Sequence, residues 1–187
     1  MNGTFQTILV GIGATAMMDV YTSILNLFGI KTLDYRFVGR WIGHFFNGKF
    51  SHDSIVTASP VRLEQVIGWT AHYIIGISFA FLLVFIAGKK WLEQPTILPA
   101  LIIGLVTIIA PFFIMQPSFG LGIAGANLPS PNTARLMSLI THSVFGFGLY
   151  LSENFLFFSL AKYKSNNKRL DRKVPSDRPR SLNSASG

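Results

Sequence analysis

Four long apolar stretches constrain the fold of this chain more than any other feature of its sequence. They cover residues 5–30, 66–87, 97–116 and 136–161, and the charged residues inside them are Asp19 in the first and Glu153 in the last. A helix needs about 20 apolar residues to cross a hydrocarbon core of about 30 Å. The runs also lack the alternation of lipid-facing barrel strands. The sequence therefore predicts an all-α, polytopic membrane protein with four transmembrane helices.

The charge content points the same way. Charged residues make up 13% of the chain, whereas an average soluble domain has about a quarter. Many of them lie in the final segment, 162–187, so the rest of the chain carries too little charge to cover a soluble surface. This composition excludes a cytosolic globular enzyme and a disordered chain. The absence of cysteine excludes disulfides and cysteine-ligated metal centres.

The positions of lysine and arginine predict the orientation in the membrane. One side of the predicted bundle carries the basic residues of 162–187 together with Lys89 and Lys90, and the other side carries fewer. We expect both termini to lie in the cytoplasm. The protein would consist of a four-helix domain over 1–161 and a basic, disordered tail over 162–187, which either contacts anionic lipid or only sets the topology. The first stretch lacks a basic leader and a cleavage pattern, so we expect a retained helix.

Two of the predicted loops have a distinct character. The long first loop, 31–65, alternates basic and aromatic residues over 36–46, which is typical of an interfacial amphipathic helix. Arg36, Arg40 and His44 would then contact lipid headgroups, and we expect the lipid bilayer rather than a nucleic acid as the partner of this segment. The third loop, 117–134, is rich in glycine and proline, so its backbone can adopt positive φ angles. We expect the helix before it to kink at Pro111.

Three ionisable residues fall at similar depths in the predicted helices. His72 and His142 each lie six residues into a span, or roughly 9 Å below the outer boundary, and Asp19 lies about 16 Å deep. An ionisable group in a span should face the bundle interior and have a partner. We therefore expect Asp19, His72 and His142 to form one intramembrane polar site, with Glu64 and Arg135 at its mouth.

The residue types of this site suggest its ligands. Two imidazoles and a carboxylate can hold a divalent metal such as zinc or iron, and an imidazole can exchange a proton near neutral pH. Asp19, His72 and His142 are thus predicted to bind a divalent metal or a proton. Haem b, with the two histidines as axial ligands, is an alternative. A purely structural role is another, because such groups also form hydrogen bonds between helices.

Three short runs carry a resemblance to a known family. They are Gly-Ile-Gly-Ala-Thr-Ala-Met-Met-Asp at 11–19, Met-Gln-Pro at 115–117 and His-Ser-Val-Phe-Gly-Phe-Gly-Leu-Tyr at 142–150. With them, residues 5–160 resemble a family of bacterial inner-membrane proteins known only as a domain of unknown function. The resemblance implies a four-helix membrane protein and implies no activity, substrate or cofactor.

Several functions fit these features. The leading hypothesis is a small transport or permeation protein, which would need a homo-oligomer because four helices rarely enclose a full pathway. The main alternative is a non-catalytic accessory or assembly protein whose polar stripes only pack the helices. A haem or quinone redox protein and an enzyme acting on lipids are further alternatives, the latter suggested by Arg36, Arg40 and His44. The sequence lacks a Ser-His-Asp arrangement, a P-loop and an H-E-x-x-H motif, which weakens the case for an enzyme.

Overall fold

The structure is a computed structural model that describes residues 2–173, and this part of the chain is built from helices joined by turns and loops. The predicted all-α class is therefore confirmed for the described residues. The α-helices are α1 (Gly3–Leu27), α2 (Tyr35–His44), α3 (Glu64–Ala87), α4 (Ile97–Val106), α5 (Gln116–Ser118) and α6 (Pro131–Lys173).

Three helical segments are long and apolar enough to cross a membrane. They are Gly3–Leu27, Glu64–Ala87 and Ile97–Ser118, and they coincide with the first three predicted stretches. The fourth stretch, 136–161, lies within α6 and is not one of these three segments. The described residues thus support a membrane protein with three candidate spans.

The third apolar segment is interrupted where the sequence predicts a kink. Proline has no N–H, so Pro111 cannot donate to the carbonyl of Thr107, four residues earlier. The Thr107 carbonyl instead accepts from Ala110 N at 3.2 Å, and Ile108 N donates to Leu105 O at 3.1 Å. α4 therefore ends at Val106, and a wider π-helical turn over Pro111–Met115 leads into α5. The predicted kink at Pro111 is confirmed.

Close backbone contacts hold the long helices together. α6 packs along α1 and α4, and α3 packs on α1. A Cβ added to Gly104 of α4 would lie 2.6 Å from the His142 carbonyl, and one on Gly11 of α1 would lie 2.6 Å from Ile77 Cα. Glycine at these positions lets the helix backbones approach, as is common between helices in membranes. Between the helices lies the main core, which includes Val10, Ala14, Leu83, Ile103 and Leu149.

A second, smaller layer covers one end of this bundle, which we call the α2 end. α2 packs on α3 so closely that a Cβ on Gly39 would overlap the Glu64 carbonyl. The first loop is joined to the end of the third segment by two backbone bonds, His52 N to Ser118 O at 2.9 Å and Ile55 N to Phe119 O at 3.1 Å. Val38, Ile55 and Phe119 form a separate small core under these connections.

The glycine-rich third loop also packs against the first loop. Gly120 and Gly122 have φ angles of 82° and 72°, so the predicted use of positive φ is confirmed. A Cβ on Gly120 would overlap the Asp53 carbonyl. Glycine therefore serves here both for its backbone conformation and for the close approach of two loops.

The boundary predicted for the tail differs from the structure. α6 does not end at residue 161 but continues to Lys173. The disorder predicted for the tail stays a prediction. The remainder of the predicted tail, 174–187, lies outside the described residues.

Candidate functional site

A cavity of about 430 Å³ lies inside the bundle, toward the α2 end. It is lined by residues of α1, α2, α3, the third segment and α6, and it is partly open to the outside of the bundle. Most of its lining is apolar and includes Met18, Val38, Trp41, Phe79, Ile114 and Phe145. Its polar lining residues are Thr15, Tyr35, His72, Ser78, Thr107 and His142. The volume and the mixture of an apolar wall with a few polar groups are typical of a small-molecule site.

One side of the cavity is backed by a hydrogen-bonded group on α1 and α3. His72 Nε2 lies 2.9 Å from Asp19 Oδ1, and the Tyr73 hydroxyl donates to Asp19 Oδ2 at 2.9 Å. His72 is 9% exposed. A carboxylate only accepts hydrogen bonds, so the His72 nitrogen facing Asp19 carries a proton. Asp19 therefore fixes the orientation of the His72 ring and keeps a proton on its Nε2.

The Tyr35 ring of α2 covers the His72 imidazole. The two rings are stacked with centroids 4.1 Å apart. Burial raises the pKa of the Tyr35 hydroxyl, and the nearby Asp19 carboxylate raises it further. Tyr35 therefore stays a neutral hydroxyl across the physiological range.

His142 lies on the opposite side of the same cavity with a different partner. Its Nδ1 lies 2.7 Å from the Thr107 hydroxyl oxygen, and that hydroxyl also lies 2.6 Å from the Gly104 carbonyl. Thr107 lies one helical turn after Gly104, which packs on the His142 backbone, so its side chain also faces α6. The structure thus brings Asp19 to His72 and gives His142 a separate partner on the third segment.

These positions decide which predicted ligands can act together. Asp19 and His72 are in direct contact, and His72 and His142 line one cavity. Across the described residues, however, no group of three His, Cys, Asp or Glu side chains lies close enough to hold a metal ion. Asp19, His72 and His142 therefore do not form the predicted three-ligand metal centre, because the Thr107 contact holds His142 to another element.

A second chamber of about 380 Å³ adjoins the first. The two share Met18, Leu33, Tyr35, Pro111, Met115 and His142 in their walls. The second chamber has more polar lining, with Lys31, Thr32, Gln116, Ser138 and Thr141. His142 thus lies between an apolar chamber and a more polar one.

Glu64 and Arg135, the residues predicted at the mouth, do not face each other. Arg40 forms a two-pronged ion pair with Glu64, with Nε and Nη2 each 2.9 Å from a carboxylate oxygen. Arg135 instead donates to the Ala124 carbonyl at 3.0 Å and to Asn132. Glu64 therefore fastens α2 to α3, and Arg135 fastens the third loop to α6.

The predicted headgroup contacts are also partly wrong. The amphipathic helix exists as α2, but Arg40 is 6% exposed and donates from Nη1 to the carbonyls of Ile55, Val56 and Ala58. The hydrogen bonds to Glu64 raise the pKa of the Arg40 guanidinium. Because α2 packs on α3 and the first loop, the Arg40 side chain turns inward and joins these three segments.

His44 and Arg36 have different surroundings from each other. His44 is buried, with Nδ1 2.6 Å from His52 Nε2, so it faces the first loop instead of lipid. Burial lowers the pKa of His52, and the positive charge of Lys49 lowers it further. Arg36 is exposed and pairs with Asp34, so it is the one member of the predicted trio that remains free to contact headgroups.

Sequence reasoning missed the partners that orient the site. Tyr73 directly follows His72 in the sequence, and that adjacency was the available signal for it. Tyr35 and Thr107 come from other elements, and no spacing in the sequence connects them with the histidines. A further buried group lies near the other end of the bundle, where Gln6 Nε2 donates to the fully buried Glu153. The signal in the sequence was that Glu153 is the single charged residue of the apolar stretch 136–161.

Fold and site together define a helical protein with membrane-spanning character and an internal cavity lined by two imidazoles. The chain belongs to the family described as a protein of unknown function, DUF2938, whose sequence model matches residues 8–156. The family resemblance predicted from the sequence is therefore confirmed. No curated protein and no solved structure matches the chain.

Proposed function

We propose that this chain is a small membrane transport protein that holds an apolar solute in the bundle cavity and exchanges a proton at Asp19 and His72. The observation that carries the proposal is the position of His72. Its imidazole lines the cavity and is hydrogen-bonded to a carboxylate on a neighbouring apolar helix. Burying an ionisable pair in such a segment costs free energy, which favours a functional reason for its presence.

The proposal includes α6 as a fourth span, over 136–161. Its support is the packing of α6 beside candidate spans. Gly148 of α6 contacts Ala14 in the middle of α1, and Gly146 contacts the backbone of α4. A helix that packs along two spans shares their depth, and its apolar residues then face lipid. The excess of lysine and arginine in 162–187 places both termini in the cytoplasm of a bacterium in this proposal.

The chemistry of proton exchange follows from the contacts of Asp19. When His72 is neutral, Asp19 accepts a hydrogen bond from Nε2 and another from Tyr73. Addition of a proton to His72 creates a cation whose Nε2 lies 2.9 Å from the Asp19 carboxylate, and the two opposite charges attract each other. A solute that contacts the ring in the cavity changes the free energy of the charged form, so solute binding and proton binding are linked.

Solute binding is tested with naphthalene as the apolar probe and detergent-solubilised protein in equilibrium dialysis. Ala110 lines the cavity, so Ala110→Phe should fill it and remove saturable binding. Ile109→Phe is the matched control, because Ile109 is 57% exposed and outside the cavity wall. Equal binding by the wild type and Ala110→Phe would contradict the proposed cavity.

Proton exchange is tested in proteoliposomes with a pH-sensitive dye trapped inside and an imposed membrane potential. The wild type should acidify the interior faster than Asp19→Asn. Asp34→Asn is the matched control, since Asp34 pairs with Arg36 outside the bundle. If Asp19→Asn and the wild type acidify the interior at the same rate, Asp19 and His72 have no role in proton movement.

A second candidate function has its own support. The long helices meet through close glycine contacts, and the bond between Asp19 and His72 also joins α1 to α3. An accessory or assembly protein needs a rigid bundle of this kind and no solute. In that case Asp19→Asn would lower the stability of the bundle, and naphthalene would not bind in the cavity.

A further inference from the structure

The wall of the cavity has free hydrogen-bond acceptors, whereas most of its donors are already used by the protein. We infer that the solute held there is an apolar molecule bearing a hydroxyl group, which donates its proton to Nε2 of His142. This inference rests on the proposed function, because it concerns the chemical class of the solute in the same cavity.

Apart from Tyr35, the hydroxyl groups of the wall are already engaged as donors. Thr15 donates to Gly11 O at 2.8 Å and Ser78 donates to Ile74 O at 2.8 Å, each along its own helix. The indole N–H of Trp41 donates to the Phe50 carbonyl at 2.8 Å. A hydroxyl or an indole has a single proton to give, so these groups have no donor left for a solute.

The contacts of Thr107 determine which nitrogen of His142 carries the proton. The Thr107 oxygen lies 2.6 Å from the Gly104 carbonyl, and a carbonyl can only accept, so the hydroxyl proton points to Gly104. The same oxygen lies 2.7 Å from His142 Nδ1 and must therefore accept there. The proton of a neutral His142 is thus on Nδ1.

The other nitrogen of His142 is left as an acceptor. With the proton on Nδ1, the neutral ring has a lone pair on Nε2. Among the side chains and backbone groups that the structure describes, none donates to this atom, and no carboxylate pairs with the ring. An unpaired imidazolium is costly in a largely apolar cavity, which keeps the ring neutral.

His72 also has a ring nitrogen that is free to accept a hydrogen bond. Its Nε2–H is directed to Asp19, so the neutral ring has its lone pair on Nδ1, again with no donor from the described part of the chain. Tyr35 is the wall hydroxyl with no hydrogen-bond partner among the described residues, and it stacks on His72. A solute hydroxyl can donate to an imidazole and accept from Tyr35. A carbonyl or an ether can only accept, so it leaves the imidazole lone pairs unpaired.

The experiment compares 2-naphthol with 2-methoxynaphthalene, which differ in the O–H group that the methyl ether lacks. Binding to the detergent-solubilised full chain is measured by equilibrium dialysis, and Ala110→Phe provides the background for partition into detergent. Wild-type protein should bind 2-naphthol roughly tenfold more tightly than the ether, the effect of about one net hydrogen bond.

Variants of the third segment and α6 identify the acceptor. His142→Phe should bring the ratio of the two affinities close to one. Thr107→Val should also lower the ratio, because without the threonine oxygen the His142 proton is free to move to Nε2. Thr107→Ser keeps the oxygen and should restore the wild-type ratio. A thermal unfolding midpoint for each variant checks that it folds.

The outcomes separate this inference from the proposed function. Cavity binding that Ala110→Phe removes, with equal affinity for both probes, overturns the inference and leaves the function standing. A wild-type ratio that persists in Thr107→Val and His142→Phe overturns the assignment to His142. Binding that is the same in the wild type and Ala110→Phe overturns the proposed cavity itself.

Discussion

Replacement of Arg40 by methionine should lower the free energy of unfolding, because it removes the contacts that hold the α2 end together. The guanidinium is 6% exposed and makes five hydrogen bonds, two to Glu64 and one each to three backbone carbonyls of the first loop. Methionine keeps most of the apolar stem and removes all five. Glu64, whose side chain is 14% exposed, would then retain a single bond from Val61 N.

The size of the loss in the free energy of unfolding follows from the unpaired Glu64 carboxylate that Arg40→Met leaves behind. Removing one partner of a buried ion pair leaves the other charge uncompensated and typically costs about 3–5 kcal/mol. We expect a loss of that size in the free energy of unfolding. Glu64→Gln added to Arg40→Met should recover part of it, because the stranded charge is then removed as well.

The assay is unfolding in mixed micelles with increasing SDS, followed by tryptophan fluorescence. Trp41 on α2 and Trp69 on α3 report from both sides of the ion pair. Arg36→Met is the matched control, because Arg36 is exposed and its pair with Asp34 is open to solvent, so no resolvable change is expected. A loss below about 1 kcal/mol for Arg40→Met, or an equal loss in both variants, would refute the reasoning.

Three further predictions concern other parts of the molecule. Because burial lowers the pKa of His52, the folded state resists its protonation, so stability should be full above the ordinary histidine pKa of about 6.5 and fall as the pH drops below it. His52→Gln should flatten that slope in thermal midpoints measured from pH 8 to pH 5. Gly104→Ala should cost about 1–3 kcal/mol in SDS unfolding, since its Cβ would lie 2.6 Å from the His142 carbonyl, whereas Gly3→Ala has room and should be neutral. Glu153→Gln keeps the shape of the side chain and the acceptor for Gln6, whereas Glu153→Ala leaves a cavity. The thermal midpoint of Glu153→Gln should therefore stay well above that of Glu153→Ala. Equal losses in the two variants would contradict this prediction.

The sequence by itself determined the helical class, the three candidate spans, the kink at Pro111 and the amphipathic helix before the second span. Each of these follows from local properties, namely the length of an apolar run, the missing N–H of proline and the period of a helix. The similar depths of Asp19 and His72 likewise led us to expect the two residues in one site, and they are in contact. Such features need no knowledge of which helices are neighbours.

The tertiary structure alone decided what each polar side chain faces. Arg40 and His44 were expected to reach lipid, but α2 folds onto α3 and the first loop, so both point inward. His142 was expected beside Asp19, yet the packing of α4 on α6 puts Thr107 within reach of its ring. The physical reason is that helical periodicity fixes which residues share a face, whereas the rotation and spacing of packed helices depend on contacts, such as Gly104 against α6, between residues far apart in the chain.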